Sequence, residues 1–227
     1  MQTKPFHWLR SGLAVLQKDL RIEFRTRYAY SALVMFAITT LVTVSFSVGG
    51  SILDSDITAA LFWVILFFSA MAGLSRTFVQ EEETGTVIAL KMAADPEPVL
   101  IGKYLFNVFL LFSLAVLIVP LFLVMLNVKV VLPLGLLATV FLGNLGLAGA
   151  STILAAIVSK AGAKGSLMTV LAFPILLPLL FGAISATRTA LGGGLPEAIV
   201  TDLWMLLFYN GVAIVASLLL FEYVWNE

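Results

Sequence analysis

The sequence predicts an all-α integral membrane protein: six transmembrane helices preceded by an amphipathic interfacial helix. Three observations predict it. The 227 residues are 61% hydrophobic and only 11% charged, whereas a soluble domain carries roughly a quarter charged residues. Apolar runs of about 20 residues, the length that crosses a hydrocarbon core, recur along the chain. Lys and Arg gather in alternate connections: the N-terminal lead, the stretch from Arg76 to Lys103 and the segment SKAGAKG hold 11 of the 13. The positive-inside rule then places these connections and both termini in the cytoplasm. A formal net charge of zero gives no basic surplus for nucleic acid. The absence of Cys excludes disulfides, thiolate metal sites and cysteine nucleophiles. The spans fill most of the chain, so residues 1–227 read as one transmembrane domain.

In the lead, 1–27, Phe6, Leu9, Leu13, Leu16, Leu20 and Phe24 recur at steps of three and four, which makes one apolar stripe on a helix over 5–27. Arg10, Lys18, Arg21, Arg25 and Arg27 lie mostly off that stripe. Such a helix lies in the headgroup layer with its cations near anionic membrane lipid; a basic flank that only fixes topology has the same pattern. The first long apolar run begins near Tyr28, after this charged lead, so the start does not read as a cleavable signal peptide.

The spans are placed at 28–48, 57–75, 99–126, 134–158, 166–187 and 203–224. The second contains Trp63; the third contains Asn107 and Pro120. In the fourth, Gly143, Gly146 and Gly149 recur every three residues and predict close helix approach. In the fifth, Pro174 and Pro178 remove backbone donors about one turn apart and predict a kink or break. Such a kink serves either as a hinge or as a fixed shape. Asn107, Asn144 and Asn210 are intramembrane polar residues that join neighbouring helices by hydrogen bonds or, alternatively, meet a substrate. Between the fifth and sixth spans, Arg188–Thr201 is Gly-rich, with a short helix expected near Glu197 because Pro196 suits a helix start.

The stretch between the second and third spans holds eight of the 26 formal charges. Its coupling segment, 76–98, places Glu81, Glu82 and Glu83 at or just after the end of the second span. Gly85 permits a sharp change of direction, and Thr86 can cap a new helix. Val87, Ile88, Leu90 and Met92 offer an apolar patch, and Pro96 and Pro98 stop the helix before the third span. A short helix joined rigidly to two spans transmits a push from a soluble partner. An ordinary interfacial helix with solvated glutamates has the same pattern.

No Asp, Glu or His lies in mid-span, and HExxH, Gly-x-Ser-x-Gly and paired aspartates on adjacent spans are absent. These absences point away from an enzyme, with no catalytic residues and no metal site. No G-x-x-x-x-G-K-[ST] phosphate loop occurs, so ATP hydrolysis by that route falls to another chain. His7, the one histidine, sits in the lead and reads as an interfacial residue rather than a metal or haem ligand. Met35, Met71, Met125, Met168 and Met205 read as packing or lipid-facing side chains.

The run from Glu81 to Thr86, through Leu90 to Pro96 and on to Lys103, resembles the coupling segment of ABC-2-type exporter permeases. Arg76-Thr77-Phe78 ahead of the glutamates, the chain length, the six spans, the basic lead and the block KAGAKGSLMTVLAFPILLPLLFGAISA (160–186) resemble the cytochrome c maturation protein B (CcmB) family of haem exporter permeases. The likeness covers nearly the full chain, and the 160–186 block with its two prolines is its most specific part.

The resemblance implies an ABC-2-type permease in the bacterial cytoplasmic (inner) membrane. It implies a CcmA-like ATP-binding subunit, a CcmC-like haem-handling membrane protein, a small CcmD-like membrane subunit and a CcmE-like periplasmic haem chaperone. ATP sits on the first and haem on other partners, with no cofactor bound directly by this chain. ATP hydrolysis is coupled to haem delivery or to release of the loaded chaperone. By the same likeness, Glu81, Glu82, Glu83, Gly85, Thr86 and Leu90 contact or position the ATPase, so Lys at Glu82 and Glu83 uncouples or blocks assembly. The acidic end Asp95-Pro96-Glu97-Pro98 departs from the pattern. A homodimer around two ATPases is the symmetric expectation, with a single copy beside a different membrane partner as the alternative. Two other readings stay open: an exporter permease for another amphipathic substrate, and a non-transporting scaffold of an assembly complex.

Overall fold

An apolar run in a hydrocarbon layer folds as a helix because its backbone polar groups have no other partner there. The computed structural model describes residues 7–51, 53–160, 166–193 and 195–226. Among the described residues there are nine helices, six of them long and apolar enough to cross a membrane. They are α1 (His7–Thr26), α2 (Tyr28–Val48), α3 (Ser55–Leu74), α4 (Val79–Glu83), α5 (Val87–Ala93), α6 (Pro96–Met125), α7 (Pro133–Lys160), α8 (Ser166–Ala190) and α9 (Ala198–Asn226). Phe6, most of the SKAGAKG segment and Gly194 lie outside the described residues, as does the side chain of His7.

The bundle is built around α7, which packs on α3, α6, α8 and α9. Its most apolar 18-residue window is 78% buried, against 17% for α2 and for α9, so those two lie at the periphery. Small residues make that centre. A Cβ at Gly143 would meet the Trp63 ring at 2.0 Å, and one at Gly146 would meet Leu179 at 2.5 Å. Gly149 has only ordinary contact, 3.7 Å from Tyr104. The Trp63 indole, fully buried, donates from Nε1 to Thr187 Oγ1 at 2.8 Å and so fastens α3 to α8.

Gly143→Ala is therefore expected to displace a rigid ring and break this hydrogen bond. The gain in helix propensity offsets only part of an overpacking cost of about 1–3 kcal/mol. A thermal melt in mild detergent followed by tryptophan emission checks it. Trp63→Phe, which keeps most of the volume, should cost only about 1 kcal/mol.

Several local expectations are corrected. Pro96 and Pro98 open α6 rather than merely ending the helix before it: Asp95 is the residue ahead of α6, and Pro96 stands at its first position. Pro is tolerated there because that N–H has no intrahelical acceptor to lose. What ends α5 is the extended backbone of Ala94. No separate helix forms near Glu197; a turn carries the chain straight into α9, which begins at Ala198. Pro174 and Pro178 do not break α8, which continues through both to Ala190. Pro178 cannot donate to the carbonyl a turn before it, and beside it Tyr209 of α9 donates its hydroxyl to the Ile175 carbonyl at 3.0 Å.

The lead also packs differently. The stripe is split: Leu16 and Leu20 are partly buried against the edge of the bundle, while Leu13 and Phe24 are exposed. The face buried against α6 carries Gly12, Val15 and Asp19, about a quarter-turn away. A Cβ at Gly102 of α6 would lie 2.7 Å from the Gly12 carbonyl oxygen and from Val15 Cβ, so two glycines let the helices touch. The stripe predicted from periodicity thus lies beside the buried face and is only partly covered by the bundle.

Candidate functional site

The close crossing of α1 and α6 brings together charges that are distant in sequence. Lys103, about two turns into α6, is 2% exposed; Glu81 of α4 and Asp19 of α1 are each 6% exposed. The Lys103 ammonium donates to the Thr77 carbonyl at 2.7 Å and to Glu81 Oε1, and lies 3.1 Å from Asp19 Oδ2. Lys18, half-exposed, reaches Glu81 Oε1 at 2.7 Å and Asp19 Oδ1 at 2.8 Å. Two cations and two carboxylates thus close a neutral buried cluster across α1, α4 and α6. Ions are buried at this depth only when paired and hydrogen-bonded.

Burial opposes ionisation of Glu81, but Lys103 and Lys18 together hold its carboxyl below the ordinary glutamate value. Burial likewise opposes the charge on Lys18, and Asp19 and Glu81 override it, raising that ammonium above the ordinary lysine value. Each partner keeps the other charged.

A polar chain runs from the cluster into the bundle. The Thr77 hydroxyl lies 3.0 Å from Asn107 Oδ1, Asn107 Nδ2 donates to Thr152 Oγ1 at 2.8 Å, and Thr152 donates back to the Ala148 carbonyl at 2.6 Å. The charged end is thereby tied to α7, the central helix.

The other two glutamates differ from Glu81. Glu82 is partly exposed and 3.8 Å from Lys160 at the end of α7. Glu83 is exposed and pairs with Arg76, whose guanidinium also lies over the Tyr28 ring at 4.8 Å. Gly85 holds φ +67°, a left-handed turn that lets the chain reverse between α4 and α5. Thr86 stands at the N-terminal boundary of α5, but its side chain makes no capping bond; its hydroxyl lies 2.9 Å from that of Thr84. The capping role expected of it is therefore not taken up.

α5 has two unlike faces. Val87 and Leu90 turn inward and, with Phe78, Ala156, Phe221 and Trp225, line a cleft of only about 20 Å³. That space admits no more than a single water, so Val87 and Leu90 leave little room beneath the helix. Lys91 sits over the Trp225 ring at 5.7 Å. On the outer face Ile88 is 70% and Met92 81% exposed, with Ala89 beside them. A short helix partly packed on its inner side, with an apolar outer face, suits contact with a soluble partner.

Of the residues singled out in the sequence, the structure joins Glu81 and Asn107 through Thr77, and places Glu82, Glu83, Gly85, Thr86 and Leu90 on the adjoining α4–α5 turn. Pro174, Pro178, Asn144 and Asn210 lie elsewhere. Asn210 Nδ2 donates to the Leu142 carbonyl of α7 at 3.0 Å and to the Leu206 carbonyl at 2.8 Å, a helix-joining role. Asn144 is fully buried, and neither polar atom of its amide has a hydrogen-bond partner among the described residues. The sequence reading missed Lys18, Asp19 and Lys103 as site residues. The available signals were a lysine inside an apolar run and a lone aspartate four residues after Val15, on the same helix face.

The CcmB family model, described as CcmB protein, matches residues 10–223. Two curated relatives are each named heme exporter protein B. The one from Rhodobacter capsulatus is 31% identical over 183 residues, 79% of this chain and 84% of its own length. The one from Bradyrhizobium diazoefficiens is 25% identical over 182 residues, 79% of this chain and 82% of its own. No solved structure matches the chain.

Proposed function

Since the chain belongs to the CcmB family, we propose that it is the permease subunit of a haem-export ABC system in the bacterial inner membrane. In this reading a separate cytoplasmic ATP-binding subunit docks on α5 and hydrolyses ATP. The permease converts that motion into haem delivery, or into release of a haem-loaded chaperone, on the far side of the membrane. The carrying observation is the geometry of α5: an inner side on which Val87 and Leu90 share a narrow cleft with residues of α7 and α9, and an outer face with Ile88 and Met92 exposed.

The residues divide the work. Ile88, Ala89 and Met92 contact the ATPase, and Glu82 and Glu83 surround that contact with charge. Glu81 has no surface to offer; it is a positioning residue that links α4 to α1 and α6 through Lys103 and Lys18. Gly85 sets the angle between α4 and α5. A push on α5 then reaches α6 through the ion cluster, and α7 through Asn107 and Thr152. Haem and ATP stay on the partner chains.

Purification of the tagged full chain in mild detergent, with mass spectrometry of what accompanies it, tests the reading. An ATP-binding subunit together with a haem-handling membrane protein is the expected result. An ATP-binding subunit alone would leave an exporter of another amphipathic substrate. Purification with no ATPase would overturn the transport reading and leave a scaffold.

A further inference from the structure

Beside the face of α1 that carries Leu20 and Phe24, a groove of about 590 Å³ opens between α1, α2 and α6. Its volume is in the range of small-molecule binding sites. Its walls are Leu20, Phe24, Val34, Met35, Phe109 and Leu110, with Phe24 and Phe109 in edge contact at 6.4 Å between ring centres. Arg27 and Glu23 stand at the α1–α2 corner of the groove.

Glu23 and Arg27 bring one charge of each sign to that corner, and their partners differ. Glu23 accepts from the backbone N–H of Tyr30 at 2.8 Å and of Ala29 at 3.3 Å, so its carboxylate is engaged by the start of α2. Arg27 turns the corner with φ +53°. It has no ion pair among the described residues.

We infer that this groove binds one anionic phospholipid, its acyl chain between Phe24, Met35 and Phe109 and its phosphate on Arg27. A cation without an ion pair at the end of a mostly apolar slot, beside a carboxylate already held by backbone N–H groups, matches an amphiphile with a single anionic head. The lining residues span only 30–35 on α2 and 109–113 on α6, under two turns each. That is too short a track for a transmembrane helix of another protein. This inference stands apart from the transport reading, because it concerns a different face of α1 and needs no ATPase.

The full chain is reconstituted in nanodiscs with equal phosphatidylglycerol and phosphatidylcholine of matched acyl chains, then purified in mild detergent for native mass spectrometry. The wild-type chain is expected to retain one phosphatidylglycerol, favoured over phosphatidylcholine by about fivefold, the scale of one basic residue at an anionic headgroup. Arg27→Gln removes the preference, whereas Arg25→Gln, an exposed cation outside the groove, leaves it. Ser113→Trp fills the groove and expels the lipid. Phosphatidylglycerol with a photoreactive acyl chain labels Met35 and Phe109. Equal retention of the two lipids by the wild-type chain would overturn the inference. So would an Arg25→Gln loss as large as that of Arg27→Gln, or labelling of another protein's helix seated on these residues.

Discussion

Lys103→Met is expected to destabilise the bundle by about 3–5 kcal/mol, the scale for removing one partner of a buried ion pair. Methionine fills the lysine's volume but leaves Glu81 and Asp19 facing each other at 6% exposure with only the half-exposed Lys18 to balance them. It also strips the buried Thr77 carbonyl of its donor. Adding Glu81→Leu should recover at least half of the loss, because Asp19 then keeps Lys18 and no carboxylate is left unmatched. Unfolding in mixed micelles, read by circular dichroism, gives both numbers. A Lys103→Met variant as stable as the parent would show that the cluster does not hold α1 and α4 to α6.

The same cluster fixes the pH response. The Glu81 carboxyl is held below its ordinary value, so its contribution is complete above the unfolded-state value near pH 4 and disappears as pH falls through the lower native value. Lys18 is raised, so its contribution is complete below about pH 10 and is lost as pH climbs through the native value. Stability is flat between these limits. Glu81→Gln lowers that plateau and removes much of the acid limb. The alkaline limb is shallow, since Lys18 is more than a third exposed and its pairs are screened.

The architecture was legible in the sequence because membrane spans announce themselves by length and apolarity alone. Tyr28–Val48 falls where the first apolar run does. The site was legible only in part. Glu81, Glu82 and Glu83 look alike as letters, and only the packing of α1 sorts a buried ion from two exposed ones. Asp19 escaped because hydrophobic periodicity picks out the most apolar stripe, and on α1 that stripe is only partly covered by the bundle, while Gly12, Val15 and Asp19 are the residues buried against it. Pro174 and Pro178 each remove a single ladder donor, which is not enough to break α8, and the Tyr209 hydroxyl, from another helix, bonds the Ile175 carbonyl between them.

Ile88→Glu with Met92→Glu is expected to abolish ATPase docking and leave the permease folded. Both side chains are largely exposed, so neither charge enters the core, and the inner face formed by Val87 and Leu90 is untouched. At the centre of an interface, apolar anchors of this size contribute about 2 kcal/mol each, so losing both should weaken binding by roughly 1,000-fold. Charge reversal at Glu82 and Glu83 tests the rim instead. Those groups are partly solvated, and surface pairs such as Glu83 with Arg76 are worth about 1 kcal/mol at most. Its effect should be tenfold or less and should fade with added salt. Recovery of the ATP-binding subunit with the tagged chain, followed by maturation of c-type cytochromes in cells, reads both variants. Full maturation with Glu at both 88 and 92 would remove α5 from the coupling path. A salt-insensitive defect from the rim variant larger than that of the apolar pair would move the contact from the outer face of α5 to the α4 glutamates.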